Sequence, residues 1–226
     1  MSVILAWDTA TPATVAGLRL ASGELLAARD DPLPGQRPGH AGSLLALCDG
    51  LLAEAGLAWK DVARIGAGVG PGTFTGLRIG VATARSVAQA LGCELVGVST
   101  LAALALGARA EWQGGVLAVL DARRGEAFAA AWSAAGDPVA AAAATAPDEL
   151  AGLVTGRPGP WLAVGDGAVR FRDRLEPAVT VPEDASGLHR VSAAALCELA
   201  ASGASVAPGR LIPDYLRRPD AEIART

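Results

Sequence analysis

At 226 residues, with 51% hydrophobic and 19% charged side chains, the chain carries enough apolar surface for one large core or two smaller ones, and nothing in it reads as a long disordered stretch. A formal net charge of -4 excludes a protein that grips nucleic acid unaided, because phosphate binding needs clustered Lys and Arg. The longest uncharged run, residues 95–108, is too short for a membrane span, which takes roughly 18 or more apolar residues.

Residues 3–7, 14–20 and 24–29 alternate or run apolar and are predicted to form three short strands, joined by the Thr9 to Pro12 turn and by Ser22-Gly23. No basic region precedes the first of these strands and Asp8 interrupts it, so no secretory signal is expected and the expected location is the cytoplasm. Residues 30–39, with Pro32, Pro34 and Pro38, read as a surface loop. A helix over 40–55 follows. Its apolar residues fall on more than one face: Leu44, Leu47, Cys48, Leu51 and Ala55 share one, while Leu45 and Leu52 occupy another.

Residues 62–67 read as a buried strand, and Gly68-Val69-Gly70-Pro71-Gly72-Thr73-Phe74-Thr75-Gly76 as a tight turn feeding a helix over 77–91, with Thr73 or Thr75 as its cap. Such a helix start suits an anion. A Walker loop is excluded, because Leu77 and Arg78 stand where the Lys is required, and the glycine spacing does not fit a dinucleotide fingerprint. Along the helix Gly76, Gly80, Ala84 and Ala88 recur every four residues, a small-residue stripe that suits close packing either on its own sheet or on another helix.

The pattern then restarts: a strand at 95–98, a helix after Ser99, a strand at 115–120, a turn at 121–125 and a strand at 126–133. Asp121 ends an aliphatic strand as Asp8 does, which points to a degenerate duplication and two related lobes. Residues 138–146 and 156–160 are predicted loops or weak edges, 161–164 a strand, Gly165-Asp166-Gly167-Ala168 a turn into a helix, and 191–202 a final helix. Cys48, Cys93 and Cys197 lie far apart and read as reduced thiols. The local basic groups Arg123-Arg124, Arg170, Arg172, Arg174 and Arg217-Arg218 read as solvated faces.

The opening Val3-Ile4-Leu5-Ala6-Trp7-Asp8-Thr9-Ala10-Thr11, the Gly-Pro-Gly-Thr-Phe-Thr-Gly-Leu-Arg-Ile-Gly run, Asp121-Ala122-Arg123-Arg124-Gly125-Glu126 and Pro213-Asp214-Tyr215-Leu216-Arg217 together resemble the bacterial TsaB (YeaZ) family over nearly the whole chain. The resemblance implies an α/β fold of the actin, Hsp70 and sugar-kinase (ASKHA) superfamily, with two ribonuclease-H-like lobes and mixed sheets. The lobes are expected over 1–97, with the partner-binding helices, and 98–226, whose 191–202 helix packs back on the first.

The family implies a noncatalytic subunit that stabilises a TsaD-type enzyme, which transfers threonylcarbamoyl to N6 of a tRNA adenosine. A TsaE-type ATPase docks near the pair, tRNA is met only through the complex, and two copies of the chain pair when the partner is absent. The implied interface is Leu44, Leu45, Leu52, Gly76, Gly80, Ala84 and Val87. ATP or ADP with magnesium is expected in the assembled complex and not in the chain alone. Asp8, Thr9, Thr11, Gly165 and Gly167 stand where the superfamily holds nucleotide, though Asp and Thr are equally turn formers.

Relatives of the TsaD type bind metal through a His-x-x-x-His pair. Here His40 is followed one turn later by Leu44, so neither a metal nor a catalytic residue is expected. Trp7 and Ala10 depart from the commoner family residues, and both weaken the case for a nucleotide in the first lobe. The alternative is an autonomous ATP-dependent or peptidase-like enzyme, or a nucleotide-sensing module, of the same superfamily.

Overall fold

The computed structural model describes residues 2–33, 35–176 and 178–216. Pro34, Arg217 and Arg218 lie outside the described residues. The chain divides into two units, one of residues 1–100 and 192–214, the other of 101–191 and 215–226.

In the first unit β1 (Ile4–Asp8), β2 (Thr14–Arg19) and β3 (Leu25–Asp30) form an antiparallel meander. After α1 (His40–Glu54), β4 (Arg64–Gly70) joins parallel to β1, and after α2 (Phe74–Leu91), β5 (Glu94–Ser99) joins parallel to β4. The sheet order is β3-β2-β1-β4-β5. Every residue of the central β1 is buried, because the sheet is covered on both sides. Leu5 and Trp7 join the core cluster that holds the inner faces of α1 and α2. Across that core the Trp7 indole donates to the Gly80 carbonyl at 3.1 Å, so the larger side chain at this position is accommodated without an unpaired donor.

Two boundaries of this unit lie three residues from expectation. β4 runs on through Gly70, since Gly68 and Gly70 pair with Val98 and Ser99 of β5. α2 starts at Phe74, three residues before the predicted start; Thr73 holds the N-cap position without a side-chain cap, and its amide donates to the Ala10 carbonyl at 2.7 Å.

Helix α3 (Thr100–Ala108), whose first residue still belongs to the first unit, leads into β6 (Gly115–Arg123), β7 (Glu126–Trp132), β8 (Pro138–Thr145) and β9 (Trp161–Val164) of the second. The order is β8-β7-β6-β9, antiparallel except for the parallel β6–β9 pair. The Ala-rich 138–146 piece is therefore an edge strand, half-exposed along most of its length. Along β6, Val116, Ala118 and Leu120 pack with α3, while Leu117 and Val119 join the opposite cluster. Two short helices, α4 (Asp166–Arg170) and α5 (Arg172–Leu175), follow β9.

The last helix, α6 (Ala193–Ser202), packs across β1, β2 and β4 of the first unit. Ser192 caps its start, accepting from the Ala195 amide. Its end is held by Arg64, whose Nη1 donates to the carbonyls of Ala200 (2.9 Å) and Ala201 (2.8 Å) while its Nε donates to Glu94 at 2.6 Å. A cation there also opposes the negative end of the helix dipole. Arg64→Ala is expected to cost about 2 kcal/mol, as for hydrogen bonds to a charged group. Faster amide exchange confined to α6 would be the signature; unchanged protection would show that Arg64 is dispensable.

Candidate functional site

Asp8 ends β1 with its side chain fully buried. It accepts from Thr100 Oγ1 at 2.7 Å, from the Ala10 amide at 2.7 Å and from the Thr11 amide. Thr9 is equally buried, and its Oγ1 donates to the Gly76 carbonyl at 2.7 Å. The turn before α2 lies directly on this loop: a Cβ on Gly76 would stand 1.9 Å from the Thr9 carbonyl, and one on Gly80 would stand 2.3 Å from Thr9 Oγ1. Asp8 and Thr9 are thus hydrogen-bonded within the fold, and of the three candidates on this loop only Thr11 is partly exposed.

Burial pushes the Asp8 carboxyl above its ordinary 3.8, against the three hydrogen bonds that pull it down. Folding therefore favours the protonated form. This contribution to stability is full below about pH 3.8 and is lost as pH rises through the folded-state value. Asp8→Asn, which does not ionise, is expected to remove that part of the pH dependence. Urea midpoints measured from about pH 4 to about pH 8 test this, and parallel profiles for the two proteins would refute it.

Gly165 and Gly167, at the start of α4, are buried against β6. A Cβ on Gly165 would stand 2.1 Å from the Val119 carbonyl, and its φ of 111° suits glycine. The Gly165 amide donates to His189 Nδ1 at 3.1 Å, and His189 Nε2 in turn faces the Pro182 carbonyl at 3.2 Å, which assigns the proton to Nε2. Asp121 is held by Arg170 at 2.7 Å and Arg123 at 3.4 Å, a salt-bridged hairpin. Arg172 pairs with Glu176 and Asp184, and Arg174 with Asp148, so this basic group serves internal ion pairs.

His40 is buried with Nδ1 2.8 Å from Thr14 Oγ1, and burial lowers its pKa. Among the described residues, no group of three or more His, Cys, Asp or Glu side chains is placed to hold a metal ion. Cys48 and Cys197 are free, buried thiols pushed up to about 12, and Cys93 is free and half-buried.

The interface candidates separate sharply. Leu44 and Leu52 lie in the core of the first unit, and Gly76, Gly80 and Ala84 face inward on α2. These five positions are closed by the chain itself: Leu44 and Leu52 point into the core beneath α1, and the every-fourth-residue stripe seats α2 on the core and on Thr9, just past β1. Leu45, 44% exposed, and Val87 remain at the surface, and both line an open apolar groove of about 360 Å³ between α1 and α2. Asp49, Trp59, Ser86, Ala90 and Leu91 complete its walls. On the outer side of α1, Gly42, Ala46 and Gly50 are exposed at four-residue spacing, and a Cβ on either glycine would meet nothing within 4 Å.

A meander followed by two parallel strands in the order β3-β2-β1-β4-β5, echoed by a smaller sheet in the order β8-β7-β6-β9, defines a two-unit α/β protein of the actin, Hsp70 and sugar-kinase class. Residues 36–172 match the family model for TsaD, tRNA N6-adenosine threonylcarbamoyltransferase. The chain is 30% identical to the tRNA threonylcarbamoyladenosine biosynthesis protein TsaB of Escherichia coli over 186 residues, 79% of this chain and 80% of that protein. A Mycobacterium tuberculosis protein of uncharacterized role is 35% identical over 98% of this chain and 95% of its own length. The structure of YeaZ from Pseudomonas aeruginosa superposes with a TM-score of 0.83 at 30% identity, covering 96% of this chain and all of that one. The chain belongs to the TsaB (YeaZ) family, whose named members act in threonylcarbamoyladenosine biosynthesis on tRNA.

Proposed function

We propose that this protein is a noncatalytic subunit of the tRNA threonylcarbamoyladenosine machinery, and that it binds and stabilises a TsaD-type transferase through the outer faces of α1 and α2. The observation that carries this reading is the apolar groove between those helices, left open at Leu45 and Val87. An isolated globular unit gains by filling such a groove, and a partner helix fills it well. The outer ridge of α1 adds support. Glycine in a helix interior costs roughly 0.5–1 kcal/mol relative to alanine, and no atom of the described chain approaches Gly50 closely enough to require it.

The sealed state of Asp8 and Thr9 favours a subunit over an enzyme, since neither is free to hold a nucleotide. On this reading ATP and magnesium act in the assembled complex with a TsaE-type ATPase, and tRNA is reached only through that complex. The same face pairs two copies of the chain when the transferase is absent, and the complex works in the cytoplasm. Among the described residues no helix is long and apolar enough to cross a membrane.

Co-purification with the TsaD-type protein, followed by calorimetry of the isolated chain with ATP and magnesium, tests the proposal. A stable complex and no turnover by the chain alone are expected. Turnover without the partner would overturn it.

A further inference from the structure

Resting on that reading of the groove, we propose that Trp59 is the anchor that sets affinity for the partner, held in place by Asp49, and that its ligand is an apolar side chain flanked by a Lys or Arg on a helix of the transferase. Trp59 lies outside both helices, in the one-turn 3-10 segment Trp59–Asp61. Its position is fixed twice. The Asp61 carboxylate accepts the Ala58 amide at 2.8 Å and pins the backbone. Across the groove rim, Asp49 Oδ1 on α1 accepts the indole Nε1–H at 2.6 Å, a short, charge-assisted bond.

That bond satisfies the only polar group of the indole. What a half-buried Trp59 offers outward is therefore a rigid apolar face whose orientation is already set. Anchors of this kind dominate interface energetics, because little freedom remains to be lost on binding. The occupant follows from the lining: Leu45, Val87, Ala90 and Leu91 are apolar, Ser86 is neutral, and Asp49 alone is charged. An apolar side chain fits the groove and a neighbouring cation complements the carboxylate. The Gly42, Ala46, Gly50 ridge beside it gives a partner helix room to come close.

The test is calorimetric titration of the full chain with the TsaD-type protein, with a melting curve for each variant and sedimentation of the chain alone. Trp59→Ala is expected to weaken binding by about tenfold or more while Trp59→Phe keeps most of the affinity. Asp49→Ala is expected to weaken it severalfold. Asp49→Asn restores the indole acceptor and most of the affinity at high salt, but loses the dependence on ionic strength that the wild type shows between about 0.05 M and about 0.5 M. If Trp59→Ala fails to melt cooperatively, Trp59→Leu, which keeps apolar contact with the core beneath, is read by the same tenfold criterion.

Binding by Trp59→Ala equal to wild type, while Leu45→Glu abolishes it, would overturn the anchor and leave the partner reading intact. Binding by Leu45→Glu equal to wild type would sink the partner reading itself. A Trp59→Ala chain that loses only self-association, with full affinity for the transferase, would make a second copy the occupant and overturn the proposal.

Discussion

Leu45→Glu is expected to abolish complex formation with the TsaD-type protein, weakening it by about a hundredfold or more, without lowering the stability of the chain. The two halves of this result have separate causes. Leu45 is 44% exposed on α1 and contributes little to the core, so a charge there stays solvated in the free protein. In the complex the same carboxylate would be stripped of water in an apolar groove with no cation among the residues that line it, and the proposed cation of the partner is already engaged by Asp49; removing a charge from water without a partner is among the costliest events in an interface.

Gly50→Ala sharpens the case by moving two observables in opposite directions. It is expected to stabilise α1 by roughly 0.5–1 kcal/mol and yet weaken the complex, because the added methyl meets nothing in the free chain but fills the ridge on which the proposed partner helix would lie. Titration calorimetry and a urea melt of each variant decide it. A Leu45→Glu protein that binds normally would remove the α1 face from the interface.

Gly76→Ala is expected to damage the fold itself. The new Cβ would stand 1.9 Å from the carbonyl oxygen of Thr9 and 2.6 Å from Thr73 Oγ1; the Thr73 hydroxyl can turn aside, but the Thr9 backbone just past β1 cannot. Relief requires α2 to back away from that strand, which breaks the Thr9 Oγ1 to Gly76 carbonyl bond and loosens the Trp7 indole from the Gly80 carbonyl one turn on. Overpacking of this kind costs about 1–3 kcal/mol, and backbone clashes fall at the upper end. For a chain of this length that lowers the melting midpoint by roughly 6–12 °C. Urea denaturation would show the loss as a lower midpoint, and a wild-type midpoint would mean that the turn has slack the geometry does not suggest.

Much of the architecture was legible because it is written locally. The alternation in the first thirty residues and the apolar runs 115–120 and 161–164 each state their own structure and are strands, and Ser22-Gly23 lies in the turn between two of them. The direction in which a face points is not local. A four-residue stripe of Gly and Ala on α2 is the same string whether it seats the helix on its own sheet or on another protein; here it turns inward and leaves Leu45 and Val87, less conspicuous in the sequence, at the surface. Trp59 was not among the candidates because a three-residue turn has no periodicity to mark it, and its partner Asp49 lies ten residues earlier in another element. One available signal was glycine inside strands. Gly17 and Gly66 mark the places where another element approaches closely, and α6 is what lies over them.

The return of α6 to the opening sheet has a consequence for how this polypeptide leaves the ribosome. One flank of the sheet, at Gly17 and Gly66, stays bare until some two hundred residues have been made. The leading unit is thus sealed last, after the intervening ninety or so residues have had time to fold on their own. A fragment cut after Thr100 would lack its closing piece, however natural that cut looks along the sequence.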